Sequence, residues 1–213
     1  MAVFMIFGEK VYSESHEIGR HNCGVCSKER LFHKIIETNY FCLFLFRLLP
    51  IEKIANYMQC EYCNNAFSGG QTRIPTQIQP VKEVLSYVLL GYGMQKHQDL
   101  IQDICLKVCK FEFSDEEVLV ENKGVIAAEI DIYDYLKNVR NDLNTRGKQE
   151  IIEAVFLVTH ACCEIQYEDR LRINLIGNAI GLSLEFINSV VDHVHAQGCY
   201  GVRRIIPTRT QTS

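Results

Sequence analysis

The apolar residues change their spacing once along the chain. From residue 81 onward they recur with helical period. Val81, Val84, Leu85, Val88 and Leu89 fall at i, i+3, i+4, i+7 and i+8, and Ile151, Ile152, Val155, Phe156 and Thr159 repeat the arrangement. The pattern predicts helices over 81–94, 97–110, 114–138, 147–163, 167–181 and 183–197. Boundary residues agree with several of these spans. Ser114-Asp-Glu-Glu117 has the form of a capping box. Ser183 is a candidate N-cap with Glu185 in the first turn, and Gly181 suits the end of the preceding helix. Asn122-Lys-Gly124 marks a break in the third span. Before residue 68 the apolar runs are shorter and rich in Phe and Tyr. Residues 31–58 read as two or three strands. The most apolar run, from Tyr40 to Ile51, predicts a buried strand or pair of strands. It is well short of the ~20 apolar residues needed to span a bilayer and carries Arg47 and Pro50. Contact of this run with a membrane surface stays open.

Between the two patterns lies Ser68-Gly-Gly-Gln-Thr-Arg-Ile-Pro-Thr-Gln-Ile-Gln-Pro80, a linker by composition. The chain thus divides into an N-terminal β domain over 1–67, a linker over 68–80, a helical domain over 81–198 and an extended tail over 199–213. With 213 residues, 47% of them apolar, there is material for at least one substantial core. The net charge of −4 argues against a large phosphate-neutralising surface, although a small basic patch fits within such a total.

Ten cysteines is a high count, and their placement carries the chemistry. The opening segment lacks the basic start, long apolar stretch and cleavage site of a secretory signal, and the chain is too long and helical for a disulfide scaffold. A reducing, intracellular compartment is expected, the cytoplasm first, with an organelle as the alternative. Cys23-Gly-Val-Cys26 and Cys60-Glu-Tyr-Cys63 are two C-x-x-C pairs separated by 33 residues. Each pair can form a tight knuckle aiming two thiolates at one metal, and four thiolates complete a tetrahedron around zinc at about 2.3 Å per bond. Asn22 and Gly24 flank the first pair, and Asn64 and Asn65 follow the second, as such turns require. Redox or simply buried cysteines are the alternative. Two pairs in a small domain with little else for a core favour one structural zinc ion on Cys23, Cys26, Cys60 and Cys63. His21 is expected beside the site, not in it.

These residues carry a resemblance. Ile6-Phe-Gly8 with Lys10, Cys23-x-x-Cys26, Tyr40-Phe41 with Leu43-Phe44, Arg47-Leu48, Pro50-Ile51 and Cys60-x-x-Cys63 resemble the small zinc-ribbon family across residues 1–67. The proline usual inside each knuckle of that family is missing here. In the helical part, Ala161-Cys-Cys-Glu-Ile165, Glu168-Asp169 and Gly181-Leu-Ser183 resemble the TerB-like family, named for tellurite-resistance proteins. The likeness extends over roughly 82–197 and is most persuasive over 147–197. That family's Asp-Gly falls on Cys162-Cys163, so the resemblance implies that its suggested acidic metal site is lost. The fold class expected is therefore two-domain, a small β zinc ribbon plus an all-α TerB-like helical bundle.

Remaining candidates have ordinary explanations. His193 and His195 near Cys199 do not share a helix face. His160 with Cys163 has Cys–His nucleophile chemistry but no orienting partner in the sequence. Lys137, Arg140, Arg146 and Lys148 read as a solvated turn, and Arg203, Arg204 and Arg209 as a weakly basic tail. No phosphate-binding loop, dinucleotide fingerprint or nucleophile elbow occurs. The expectation is a non-enzymatic interaction protein or subunit of a multi-subunit protein assembly, presenting Phe41, Phe44 and Phe46 on an edge of the ribbon. The competing expectations are a TerB-type metal or stress-response protein, a nucleic-acid-binding ribbon, and an enzyme using Cys162 or Cys163.

Overall fold

A computed structural model describes residues 7–43, 46–94, 96–112 and 131–205. The chain forms two units, Met1–Thr76 with Asn141–Asn144, and Gln77–Arg140 with Thr145–Ser213.

The first unit is an antiparallel meander in the order β1 (Phe7–Cys23), β2 (Lys28–Leu43), β3 (Phe46–Cys60) and β4 (Ala66–Phe67). The strands are long because alternating Tyr, Ile, Phe and Thr positions pair across the sheet over most of their length, from Cys23↔Lys28 to Phe7↔Leu43. Gly19 sits at a positive φ of 100° where the β1–β2 register shifts, a conformation that glycine adopts without strain. Three further register shifts interrupt β2 against β3, between Glu37 and Thr38, Asn39 and Tyr40, and Phe41 and Cys42. The core of this unit lies at one end of the sheet. There Phe32 and Phe67 pack with ring centroids 5.5 Å apart, against Cys23 and Cys60. A second small cluster of Ala55, Tyr57 and Ala66 adjoins Ile35.

The opposite end corrects the expectation of a buried strand over 40–51: Cys42 is buried there, but residues 46–51 are exposed. Phe46 is 76% exposed, and Leu48, Leu49 and Ile51 are also exposed. The reason is architectural. β2 and β3 extend into a single-layered ribbon, and the described residues of this unit supply no second layer to cover its tip. Phe44 lies outside the described residues.

The second unit is helical: α1 (Ile78–Gly91), α2 (Gln98–Cys109), α3 (Ile132–Val139), α4 (Thr145–Cys162), α5 (Tyr167–Ala179) and α6 (Leu184–Ala196). Helices α1, α2, α5 and α6 pack on α4, which is buried along most of its length. Ile151, Ile152, Val155, Phe156, Leu157, Val158, Ala161 and Cys162 are all buried. Gly177 of α5 allows close approach, since a Cβ there would lie 2.3 Å from Ile187 of α6 and 3.2 Å from Ile152 of α4. Ser183 caps α6, its hydroxyl accepting from the Phe186 amide at 3.3 Å. Asp131 caps α3 by accepting from the Tyr133 amide at 2.8 Å. The expected capping box at Ser114–Glu117 and the first part of the third helical span lie outside the described residues. After α6, a 3-10 turn at Gly198–Gly201 returns the chain to the bundle, where Val202 is buried and the Ile205 amide donates to the Ala161 carbonyl at 2.8 Å.

Candidate metal centre

The meander brings the two C-x-x-C pairs to one end of the sheet. Cys23 ends β1 and Cys26 lies in the turn to β2. Cys60 ends β3 and Cys63 lies in the turn to β4. Pairing of Phe32 with Cys60 and of Lys28 with Cys23 fixes the first pair against the second. Each knuckle needs a residue in left-handed conformation, supplied by Ser27 at φ 51° and Asn64 at φ 56°. The second turn is closed by Asn64 donating its amide to the Cys60 carbonyl at 2.9 Å and Cys60 donating to the Asn65 carbonyl at 3.1 Å. The Asn144 side chain donates to the Asn64 carbonyl at 2.8 Å. Residues 72–73, within the segment expected as a linker, run against the first knuckle. The Gly24 amide donates to the Thr72 carbonyl at 2.7 Å, and a Cβ at residue 24 would lie 2.0 Å from the Arg73 carbonyl oxygen.

The four sulfur atoms all lie within 4.8 Å of one another, and Cys23 and Cys63 are 3.7 Å apart. Ligand bonds of about 2.3 Å in a tetrahedron place sulfurs roughly 3.8 Å apart, whereas a disulfide needs about 2.05 Å. The spacing therefore fits one shared metal ion, and all four cysteines are free. Cys23 and Cys60 are buried, and Cys26 and Cys63 are half-buried.

Electrostatics at the site are divided. Burial pushes the Cys23 and Cys26 thiols up. Burial acts the same way on Cys63, but hydrogen bonds from the side chain and backbone of Asn65, with neighbouring sulfurs, outweigh it and leave that thiol below its ordinary value. Without a cation, closely spaced thiolates repel one another. A bound divalent ion displaces the protons, and that exchange makes affinity fall with falling pH. Asn65, 1% exposed, is a buried hydrogen-bond partner of Cys63 that sequence spacing alone marked only as a turn residue. His21 sets its ring edge-on to Phe32 at 5.6 Å, and the cluster of ligand atoms consists of the four cysteines.

The other sequence candidates go elsewhere. Cys163 does not face His160. Its sulfur lies 3.3 Å from the Tyr92 hydroxyl and 3.5 Å from Asp169, while His160 stacks on Phe156 at 6.4 Å. Burial raises the pKa of Cys163, and burial together with Cys163 pushes Cys162 up to about 11. Burial, Arg204 and His195 hold the His160 imidazole below its usual pKa. His195 tilts against Phe156 at 6.3 Å, and Cys199 is buried. Lys137 pairs with Asp134 at 2.7 Å, and Arg146 with the buried Glu150 at 2.8 Å. Arg203 and Arg204 are exposed, and Arg209 lies outside the described residues. Among the described residues, no helix is long and apolar enough to cross a membrane.

No family model matches the chain, and neither a curated protein nor a solved structure matches it.

Proposed function

We propose that residues 1–67 form a zinc ribbon in which Cys23, Cys26, Cys60 and Cys63 hold one structural zinc ion, and that the chain acts as a non-enzymatic subunit of a protein assembly. Soft thiolate donors at tetrahedral spacing suit zinc, and four protein ligands leave no position for a reacting water. The helical unit is proposed to be TerB-like, on the residues at 161–183 alone. The observation that carries the assembly role is the apolar tip of the ribbon, where, among the described residues, Phe46, Leu48, Leu49 and Ile51 stand exposed together. Such a patch marks an interaction site in a folded protein. The cysteine-enzyme reading is weaker, because a nucleophile needs a depressed thiol pKa and both Cys162 and Cys163 are shifted upward.

The test compares native capture on the full chain with capture on Phe46→Ser/Leu49→Ser, read by quantitative mass spectrometry. A stoichiometric partner retained by the parent chain and lost from the variant is expected. A chain that retains no partner, or retains the same ones with the tip altered, overturns the proposal.

A further inference from the structure

α5 is apolar on two faces. Ile173, Ile176 and Gly177 point into the bundle. Tyr167, Leu171 and Leu175 follow at i, i+4 and i+8 on the other side, exposed by 75, 46 and 45%. A helix that finishes its packing within one bundle has a single apolar stripe and a polar opposite face. Here a second stripe forms a ridge of the kind that packs into the groove of another helix.

Beside the ridge runs a cleft of about 460 Å³ between α5 and α6, floored by Phe156 and Ile173 of the core, with Leu184 at the start of α6 on its far wall. Ridge and groove thus lie side by side on one face. Under a twofold axis the ridge of one copy meets the groove of the other, and the reverse contact forms at the same time. Such self-complementarity is what an isologous interface requires.

Charge at the rim points the same way. Arg170, Arg204, Glu164 and Asp192 line the cleft, two of each sign. Among the described residues none of the four forms an ion pair, whereas Lys107–Asp103, Lys137–Asp134 and Arg146–Glu150 pair elsewhere in the same unit. A balanced rim brings no net repulsion against its own copy and offers each sign a partner across a twofold. A partner of one strong charge gains nothing from it.

We infer that the α5–α6 face is the site at which two copies of this chain associate, with Tyr167, Leu171, Leu175 and Leu184 as the apolar contact. Stable interfaces bury roughly 800 Å² per partner, more than four side chains provide, so the charged rim joins the contact and the dimer is reversible, dissociating in roughly the micromolar range.

Sedimentation equilibrium on the full metal-loaded chain tests this. The expected mass rises with concentration from 24.5 kDa toward twice that value. Leu171→Glu is expected to weaken the association by about tenfold or more. Leu184→Glu makes the same test from the other wall of the cleft. Both positions are exposed, so the helical circular dichroism is expected to stay at the parent level. Leu49→Glu, at the sheet tip, is expected to leave the dimer unchanged. A monomer at every concentration overturns the inference. So does a larger open oligomer, a dimer that survives both helix substitutions, or one lost through Leu49→Glu instead.

Discussion

Among single residues, Asp169 shows how one side chain ties several elements together. It accepts from the Tyr92 hydroxyl of the turn after α1 and from the Gln166 amide at 2.9 Å, and it completes the capping box of α5. The Cys163 sulfur sits beside it, and the Arg172 guanidinium lies 5.2 Å from the centre of the Tyr92 ring. Burial works to raise its pKa, but the Gln166 amide, Tyr92, Cys163 and Arg172 together hold the carboxyl below the usual aspartate value. A depressed folded-state pKa gives stabilisation that is fully present above the unfolded value, about 4, and is lost as pH falls through the folded one. Asp169→Asn is therefore expected to cost about 1–3 kcal/mol at neutral pH. The deficit against the parent chain should narrow below about pH 4. Denaturant melts of both chains across that range check this, and a deficit independent of pH would assign the loss to packing rather than charge. The acidic start of this helix was legible in the sequence. The partner Tyr92 was not, because its place is set by tertiary packing 77 residues away.

For whole elements, legibility followed periodicity. The helices expected at 81–94, 97–110, 147–163, 167–181 and 183–197 stand at 78–91, 98–109, 145–162, 167–179 and 184–196. Apolar spacing and the caps at Ser183 and Gly181 fix such segments locally. The strands were harder. An apolar run such as Tyr40–Ile51 reads as buried when only its composition is known, and its exposure depends on whether another layer reaches it. The cysteine cluster was legible as candidate ligand spacing, but the support of its turns was not. Gly24 passes for a turn glycine, yet its decisive property is the space it leaves for the Arg73 carbonyl 2.0 Å from where a Cβ would stand. Gly24→Ala must therefore push residues 72–73 off the knuckle. The expected cost is about 1–3 kcal/mol of stability, with metal affinity weakened by roughly tenfold, as for other supporting groups around a site. Gly8→Ala, on the same strand pair with nothing within 4 Å, is the matched control and is expected to be close to neutral. Competition against a chromophoric chelator measures both. Equal affinities for the two variants would show that residues 72–73 do not support the centre.

Across the whole molecule, the two units hold themselves together by different means. In the helical unit α4 alone buries thirteen residues, and its core continues through α1, α2, α5 and α6. Beyond the four candidate ligands, the described buried apolar residues of the sheet unit are Phe32, Cys42, Ala55, Tyr57, Ala66, Phe67, Pro75 and Leu143. A core that small does not offset the conformational entropy of ordering strands of this length. The proposed zinc ion then supplies most of the sheet unit's stability, because binding to a site absent from the unfolded chain is folding free energy. Stripping the metal from the full chain with a chelator at neutral pH should therefore expose the amides of β1–β3 to rapid hydrogen exchange, while α4 and α5 keep their protection. Mildly acidic conditions should reproduce the effect without chelator, since protons compete with the metal for the four sulfurs. Readdition of zinc should restore protection in proportion to bound metal. If elemental analysis shows the metal gone and the β1–β3 amides are still protected, the cysteine cluster is not what holds the sheet. The pairing of β1, β2 and β3 would then have to stand on cross-strand contacts alone.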